Sequence, residues 1–129
     1  MLFLQTYRRR IILDQAHHTL ISLLLPEGIL EYFELTQVEK VPEGLNICLE
    51  EKNIVPSEYQ NQRLESKGFL PEVSIQDFPI RGQKVALRIK RRRWRVFETG
   101  LIITRDWNLV HKGARITTEF GLFLKGIFG

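Results

Sequence analysis

The chain contains 129 residues, of which 43% are hydrophobic and 26% charged, as in a globular protein with one domain or two small units sharing a core. Its single cysteine, Cys48, excludes an internal disulfide and a zinc site made of several thiolates. No apolar stretch is long enough to cross a membrane, because polar residues interrupt the one at residues 11–25. These properties predict a protein of the reducing cytoplasm.

Charge is distributed unevenly along the chain, although the net charge is only +4. Residues 1–59 hold five Lys/Arg against nine Asp/Glu, whereas residues 60–115 hold thirteen against five. The asymmetry indicates a polyanionic partner for the second half. It also divides the chain into two predicted units with one shared core. These are an acidic helix-plus-hairpin subdomain at residues 1–59 and a basic β-rich unit with a C-terminal helix at residues 60–129.

The first half begins with helical spacing of apolar residues at 13–25. A Pro-Glu-Gly break follows, and residues 29–33 are predicted to form one more helical turn. His17 and His18 lie on the first helix, but adjacent helical residues face different directions. We therefore expect surface histidines and not a metal-binding pair.

A β-hairpin is predicted next, because the apolar period changes to two at residues 35–41 and 45–51, with Pro-Glu-Gly between them. Leu45, Ile47 and Leu49 are expected to face inward. The acidic residues of this half are expected to form a solvated face: Glu34, Glu39, Glu50 and Glu51.

The second half is predicted to contain extended segments at residues 63–69 and 72–78, followed by a turn at residues 79–82. A strand follows at residues 85–94, and the β-branched run at 101–106 is expected to pair back on it as a hairpin. The last predicted element is a helix starting at Thr117 or Thr118. Its apolar stripe is Phe120, Phe123, Leu124 and Ile127.

The segment at residues 85–94 reads V-A-L-R-I-K-R-R-R-W and combines one apolar face with a row of cations. Arginine predominates, and its planar guanidinium suits phosphates and guanine edges. Trp94 can stack on a base or cap the core, and a basic edge strand can also simply resist aggregation. The residues predicted to bind DNA are Lys84, Arg88, Lys90, Arg91, Arg92, Arg93, Trp94, Arg95, Lys112 and Arg115.

Catalysis has little support in the sequence. No Gly-rich phosphate loop, nucleophile elbow or metal-binding spacing is present. Asp77 and Asp106 each lie near arginines and aromatic residues, which indicates internal ion pairs. We therefore predict that the chain is not an enzyme and needs no cofactor.

Three longer phrases give the chain a resemblance to a known family. They are LLPEG at residues 24–28, ESKGFLP at 65–71 and RDWNL at 105–109. With IQDFPIRG at 75–82 and the basic strand that follows, they resemble the N-terminal region of ISAon-type insertion-sequence transposases. That group belongs with the ISL-three-type enzymes, whose N-terminal region is a zinc ribbon.

The resemblance implies a ribbon without its metal, because cysteines are missing where the zinc-ribbon family has them, near residues 56–59 and 96–101. It also implies that the acidic-triad (DDE) nuclease domain is a separate polypeptide. The expected fold is α+β, with an N-terminal helix and hairpin, a small antiparallel ribbon-like unit and a C-terminal helix. Expected partners are transposon-end DNA and the separate catalytic subunit, with self-association left open. The alternative function is an adaptor that docks that subunit through the acidic half and the C-terminal helix.

Overall fold

The computed structural model of the protein describes residues 9–11 and 15–107. This part of the chain is mostly β-structure preceded by short helices. In chain order the elements are β1 Arg9–Ile11, α1 Gln15–Ser22, α2 Ile29–Tyr32, β2 Phe33–Val41, β3 Gly44–Glu51, a 3-10 turn Ser57–Tyr59, β4 Leu64–Phe69, β5 Val73–Ile80, β6 Gln83–Lys90, β7 Arg92–Val96 and β8 Ile102–Thr104.

The first sheet is mixed and has the strand order β1-β2-β3-β6-β5, in which β1 is only a short edge strand. The β2–β3 and β5–β6 pairs are antiparallel hairpins, whereas β3 and β6 run parallel, with Ile47 beside Leu87 and Leu49 beside Ile89. Strands from both sides of residue 59 therefore share this sheet.

The second sheet is antiparallel and has the order β4-β7-β8. Its central strand, β7, follows β6 after Arg91 alone, so the chain passes from one sheet to the other within a single residue. In this sheet Trp94 lies opposite Ser66 on one side and Ile103 on the other.

The main core lies on one face of the first sheet, under the helices. Its buried members are Leu25, Ile29, Phe33, Leu35, Val38, Ile47, Leu49, Val85, Leu87, Ile89 and Trp107. The Trp107 ring stacks on Phe33 with ring centroids 5.4 Å apart and meets Tyr32 edge-on at 5.5 Å. A second cluster under the second sheet contains Trp94, Val96 and Ile103, with Tyr59 and Leu64 at its margin.

The predicted first helix is shorter than expected, because its regular part ends at Ser22 and not at residue 25. The Leu23 and Leu24 amides donate to carbonyls three residues back, which tightens the last turn. Leu25 is buried beyond the end of the helix, next to Pro26. The second helical turn was predicted correctly and is α2. Residues 13 and 14 of the prediction lie outside the described part of the chain.

The hairpin prediction is confirmed by β2 and β3, and Ile47 and Leu49 are buried as expected. The prediction of a solvated acidic face is wrong for two of its four residues. Glu39 is 4% exposed and Glu51 is 1% exposed. Glu51 follows Leu45, Ile47 and Leu49 at the same period of two, which places its side chain on the inward face.

The two extended segments of the second half are β4 and β5, and the predicted return strand is β8. That return strand pairs only with β7 and not with β6, because the predicted strand at 85–94 is divided between two sheets. The antiparallel unit expected for the second half is therefore only the second sheet, while β5 and β6 join the sheet of the first half. The predicted C-terminal helix lies outside the described residues.

Candidate nucleic-acid interface

The basic segment changes its inward face where it passes between the sheets. In β6 the buried residues are the odd-numbered Val85, Leu87 and Ile89, whereas in β7 they are the even-numbered Trp94 and Val96. The cations therefore do not form one row on one face. Four of them form two pairs, Arg88 with Lys90 and Arg93 with Arg95, each on the outer face of its own sheet.

The first pair of cations lies on the outer face of the first sheet and contacts carboxylates. Arg88 binds Glu72 through Nη2 at 2.6 Å and Nε at 2.8 Å, and its Nη1 lies 3.6 Å from Glu39. The Glu72 hydrogen bond raises the pKa of Arg88 above its ordinary value. Lys90 Nζ lies 3.9 Å from Glu50, a loose contact that leaves the side chain 43% exposed.

Cys48 lies beside Arg88 in the parallel β3–β6 register. Burial raises the pKa of its thiol, and the Glu39 carboxylate adds to the shift. A thiol with a raised pKa is a weaker nucleophile at neutral pH, although Cys48 is only half-buried.

The second pair, Arg93 and Arg95, lies on the outer face of the second sheet. Arg95 Nη2 binds Glu65 at 2.7 Å, and this hydrogen bond lowers the pKa of Glu65 below its ordinary value. Arg93 Nη2 donates to the Lys67 carbonyl at 3.1 Å. Because these contacts lie at an exposed surface, a competing phosphate can replace them at little cost.

Arg92 has a structural position between the sheets. Its backbone N–H donates to Glu51 Oε1 at 3.0 Å, its Nε to the Glu51 carbonyl at 3.0 Å, and its Nη1 to Ser66 Oγ at 2.5 Å. The guanidinium also lies over the Phe69 ring, 4.7 Å from the centroid. Its hydrogen-bonding groups are directed at the protein itself, so Arg92 is poorly placed to contact DNA.

Trp94 is fully buried, and its indole Nε1 donates to Asn53 Oδ1 at 2.9 Å. The expectation that it stacks on a base is therefore wrong, because the ring has no exposed face. Trp94 fills the core of the second sheet, which was the other reading that the sequence left open.

The other residues predicted to bind DNA do not lie together. Lys84 is exposed where β6 begins, and Arg91 lies between the sheets, where its carbonyl accepts from the Leu70 amide at 2.8 Å. Lys112 and Arg115 lie outside the described residues.

An ion pair that the sequence analysis missed joins the two sheets. Arg105 Nε donates to Glu51 Oε2 at 2.7 Å, and Nη2 of the same guanidinium donates to the Ile54 carbonyl. The Arg105 guanidinium lies 5.3 Å from the Tyr32 ring centroid and 5.5 Å from that of Trp94. Burial raises the pKa of Glu51, although its bonds to Arg105 and to the Arg92 amide act in the opposite direction.

The inward position of Glu51 could have been predicted from the period of two in β3. Its partner Arg105 could not have been predicted, because 54 residues separate the two in the chain. The ion pairs expected at Asp77 and Asp106 stay predictions. Arg105, the neighbour of Asp106, is the arginine that forms the buried pair.

Metal-binding clusters and membrane-spanning helices are absent from the described residues. Within residues 9–11 and 15–107, no group of three or more His, Cys, Asp or Glu side chains could hold a metal ion. None of the helices described in this structure is both long and apolar enough to span a membrane. His17 is exposed and His18 is half-buried on α1.

Comparison with protein-family models, with curated proteins and with solved structures finds no match.

Proposed function

We propose that the chain is a non-catalytic DNA-binding component of an insertion-sequence transposase, and that it recognises transposon-end DNA. The observation that carries this proposal is the pair of arginines at alternate positions of β7, Arg93 and Arg95, on the outer face of the second sheet. Side chains two residues apart on a strand lie on the same face about 6.6 Å apart. Two guanidinium groups are thereby directed toward one bound partner.

The charge distribution supports a polyanion as that partner, since the basic residues are concentrated in the second half of the chain. Lys84 and Lys90 are further exposed or half-exposed cations on β6. Glu65, Glu72 and Glu50 neutralise part of this surface. DNA binding accordingly requires phosphates to displace these carboxylates, which makes binding sensitive to salt.

The resemblance to the transposase family leads to a more specific proposal about the second sheet. We infer that the second sheet is a ribbon-like unit in which a tryptophan-centred core replaces a zinc ion. What supports this is the antiparallel order β4-β7-β8 around the buried Trp94. On this proposal the strand-cutting DDE domain is a separate polypeptide, and the complex acts on DNA in the bacterial cytoplasm.

The test is fluorescence anisotropy with a duplex that carries the terminal repeats of its own element, titrated over a range of salt concentrations. Removing two phosphate contacts with Arg93→Ala and Arg95→Ala together should weaken binding. It should also reduce the slope of log K against log salt by about 2. The matched control is Arg63→Ala, an exposed arginine that lies over the Phe97 ring at 4.5 Å and is outside the predicted set. An unchanged slope in the double variant would refute the proposed contact.

A second candidate function is an adaptor that docks the catalytic subunit, and exposed apolar residues at the N-terminal helix favour it. Leu20, Leu23 and Leu24 are 59%, 76% and 50% exposed at and after the end of α1. Replacing all three by serine should abolish co-purification with the catalytic subunit in the absence of DNA. Retained co-purification would exclude this surface, and DNA binding should be unaffected in either case.

A further inference from the structure

The hairpin of β5 and β6 has a short and rigid connection. Its two linking residues, Arg81 and Gly82, both have positive φ, at 50° and 79°, as in a type I′ turn. Ile80 pairs with Gln83 across this turn. A type I′ turn requires positive φ at both linking residues, so the uncommon backbone conformation of Arg81 is set by the turn and fixes the shape of the hairpin tip.

The strand before the turn contains a bulge. Its register shifts between Asp77 and Ile80, which leaves Phe78 and Pro79 together opposite Lys84. Strand β5 lies at the edge of the first sheet, and proline has no N–H with which to pair another strand. The bulge therefore does not extend the sheet. Burial alternates along β5 through Phe78, which faces outward like Ser74 and Gln76, and the alternation shifts only after it.

Phe78 is 83% exposed, more than any other large hydrophobic side chain among the described residues. Exposing a phenylalanine ring to water is unfavourable, and Phe78 belongs to neither hydrophobic core. The exposed ring beside the fixed turn is therefore available to a binding partner.

The charges around the ring identify the kind of partner. Arg81 is exposed in the turn itself, Lys84 is exposed on β6 just after it, and Lys40 from β2 donates to Gln83 Oε1 at 3.0 Å. The carboxylates in this region are Glu43, in the neighbouring turn, and Asp77, which is half-buried. The two exposed cations and the ring together suit an aromatic, anionic polymer better than an apolar protein surface.

We propose that the hairpin tip, residues 78–84, is a second DNA-contacting element in which Phe78 stacks on a base while Arg81 and Lys84 bind the flanking phosphates. The proposal rests on the proposed function, because it assumes that the chain binds DNA, but it places a contact on the other sheet, at the end of β6 that lies away from β7. It assigns base stacking to Phe78, a role that the buried Trp94 cannot have.

The test uses the terminal-repeat duplex with 2-aminopurine, a base analogue whose fluorescence changes on unstacking, placed at successive positions. Phe78→Ala should weaken binding by about fivefold to about a hundredfold, the size that base–aromatic stacking has on single strands, once the ring has inserted at an unstacked base step of the duplex. It should also remove the 2-aminopurine response. Phe78→Trp should keep both, whereas Phe78→Leu, which keeps apolar bulk but no ring, should lose the response. The matched control is Phe97→Ala, another exposed phenylalanine, which is 54% exposed.

The outcomes separate the two proposals. If the wild-type chain binds the duplex and Phe78→Ala binds with equal affinity and an equal 2-aminopurine response, the hairpin proposal is overturned and the β7 interface stands. If the wild-type chain shows no salt-dependent binding to DNA, both proposals are overturned. Equal melting temperatures for wild type and Phe78→Ala are expected, because the ring is exposed. A loss of binding at equal stability then reports the contact itself.

Discussion

Arg105 offers the sharpest test of how the two sheets are held together. The guanidinium is 8% exposed, and it compensates the charge of a carboxylate that is itself 1% exposed. Arg105→Met keeps the apolar stem near the aromatic rings and removes only the charge and its donors. Because Glu51 would lose its direct ion-pair partner and keep only the Arg92 amide and the Arg92 charge, the free energy of unfolding should fall by about 3–5 kcal/mol at neutral pH.

This loss is large beside the total stability of a domain, which is about 5–15 kcal/mol. Urea denaturation can be followed by tryptophan fluorescence, since both tryptophans of the chain are buried, at positions 94 and 107. A double-mutant cycle with Glu51→Gln isolates the pair and should give a coupling free energy of about 2 kcal/mol. Additive losses, or a loss below about 1 kcal/mol for Arg105→Met, would refute the assigned role.

The pH dependence provides a second readout of the same pair. Burial raises the pKa of Glu51 above its ordinary 4.5, so the folded protein holds this proton more tightly than the unfolded chain does. This group therefore makes the protein less stable as pH rises from 4.5 through the folded-state pKa. Arg105→Met should raise that pKa further, because the Arg105 hydrogen bond lowers it. The difference in free energy of unfolding between the wild type and Arg105→Met should therefore become smaller as pH falls toward 4.5 and larger as pH rises above it.

Two further predictions concern β3 and the outer face of the second sheet. A Cβ added at Gly44 would overlap the Lys84 carbonyl of the parallel partner strand, so Gly44→Ala should cost about 3 kcal/mol or more. Gly100→Ala, where φ is +73° but nothing lies within 4 Å, should cost only about 1 kcal/mol in the same denaturation assay. Glu65 should titrate below its ordinary 4.5 by NMR, with its stabilising contribution present above 4.5 and lost as pH falls through the folded-state pKa. In Arg95→Ala its pKa should return toward 4.5, and an unchanged pKa would contradict the assigned hydrogen bond.

Local patterns were sufficient to predict most strands. Alternating apolar residues identified β2, β3 and β6, and the Pro-Glu-Gly cluster identified the turn between the first two. These features depend on side-chain direction within a strand, which the sequence records directly. The buried position of Glu51 follows from the same rule, but its negative charge favoured an exposed interpretation.

The arrangement of the strands in sheets could not be predicted in the same way. The parallel β3–β6 pair joins residues about forty positions apart, and no local signal specifies it. The sequence also does not indicate that the basic segment is divided between the two sheets at Arg91. Four consecutive cations carry no apolar alternation that would indicate a change of face, so the sequence predicts a single strand with one cationic face.

That division changes what a loss of DNA binding would mean for each arginine. Arg92 and Arg105 both bind Glu51, so they fix the orientation of the second sheet against the first. Replacing Arg92 by alanine can therefore lower affinity by displacing the outer face of β7, with no phosphate contact removed. The salt slope distinguishes the two causes, because it counts the phosphates that are contacted. A variant that lowers affinity at a constant slope identifies a positioning residue, and one that lowers both identifies a contact.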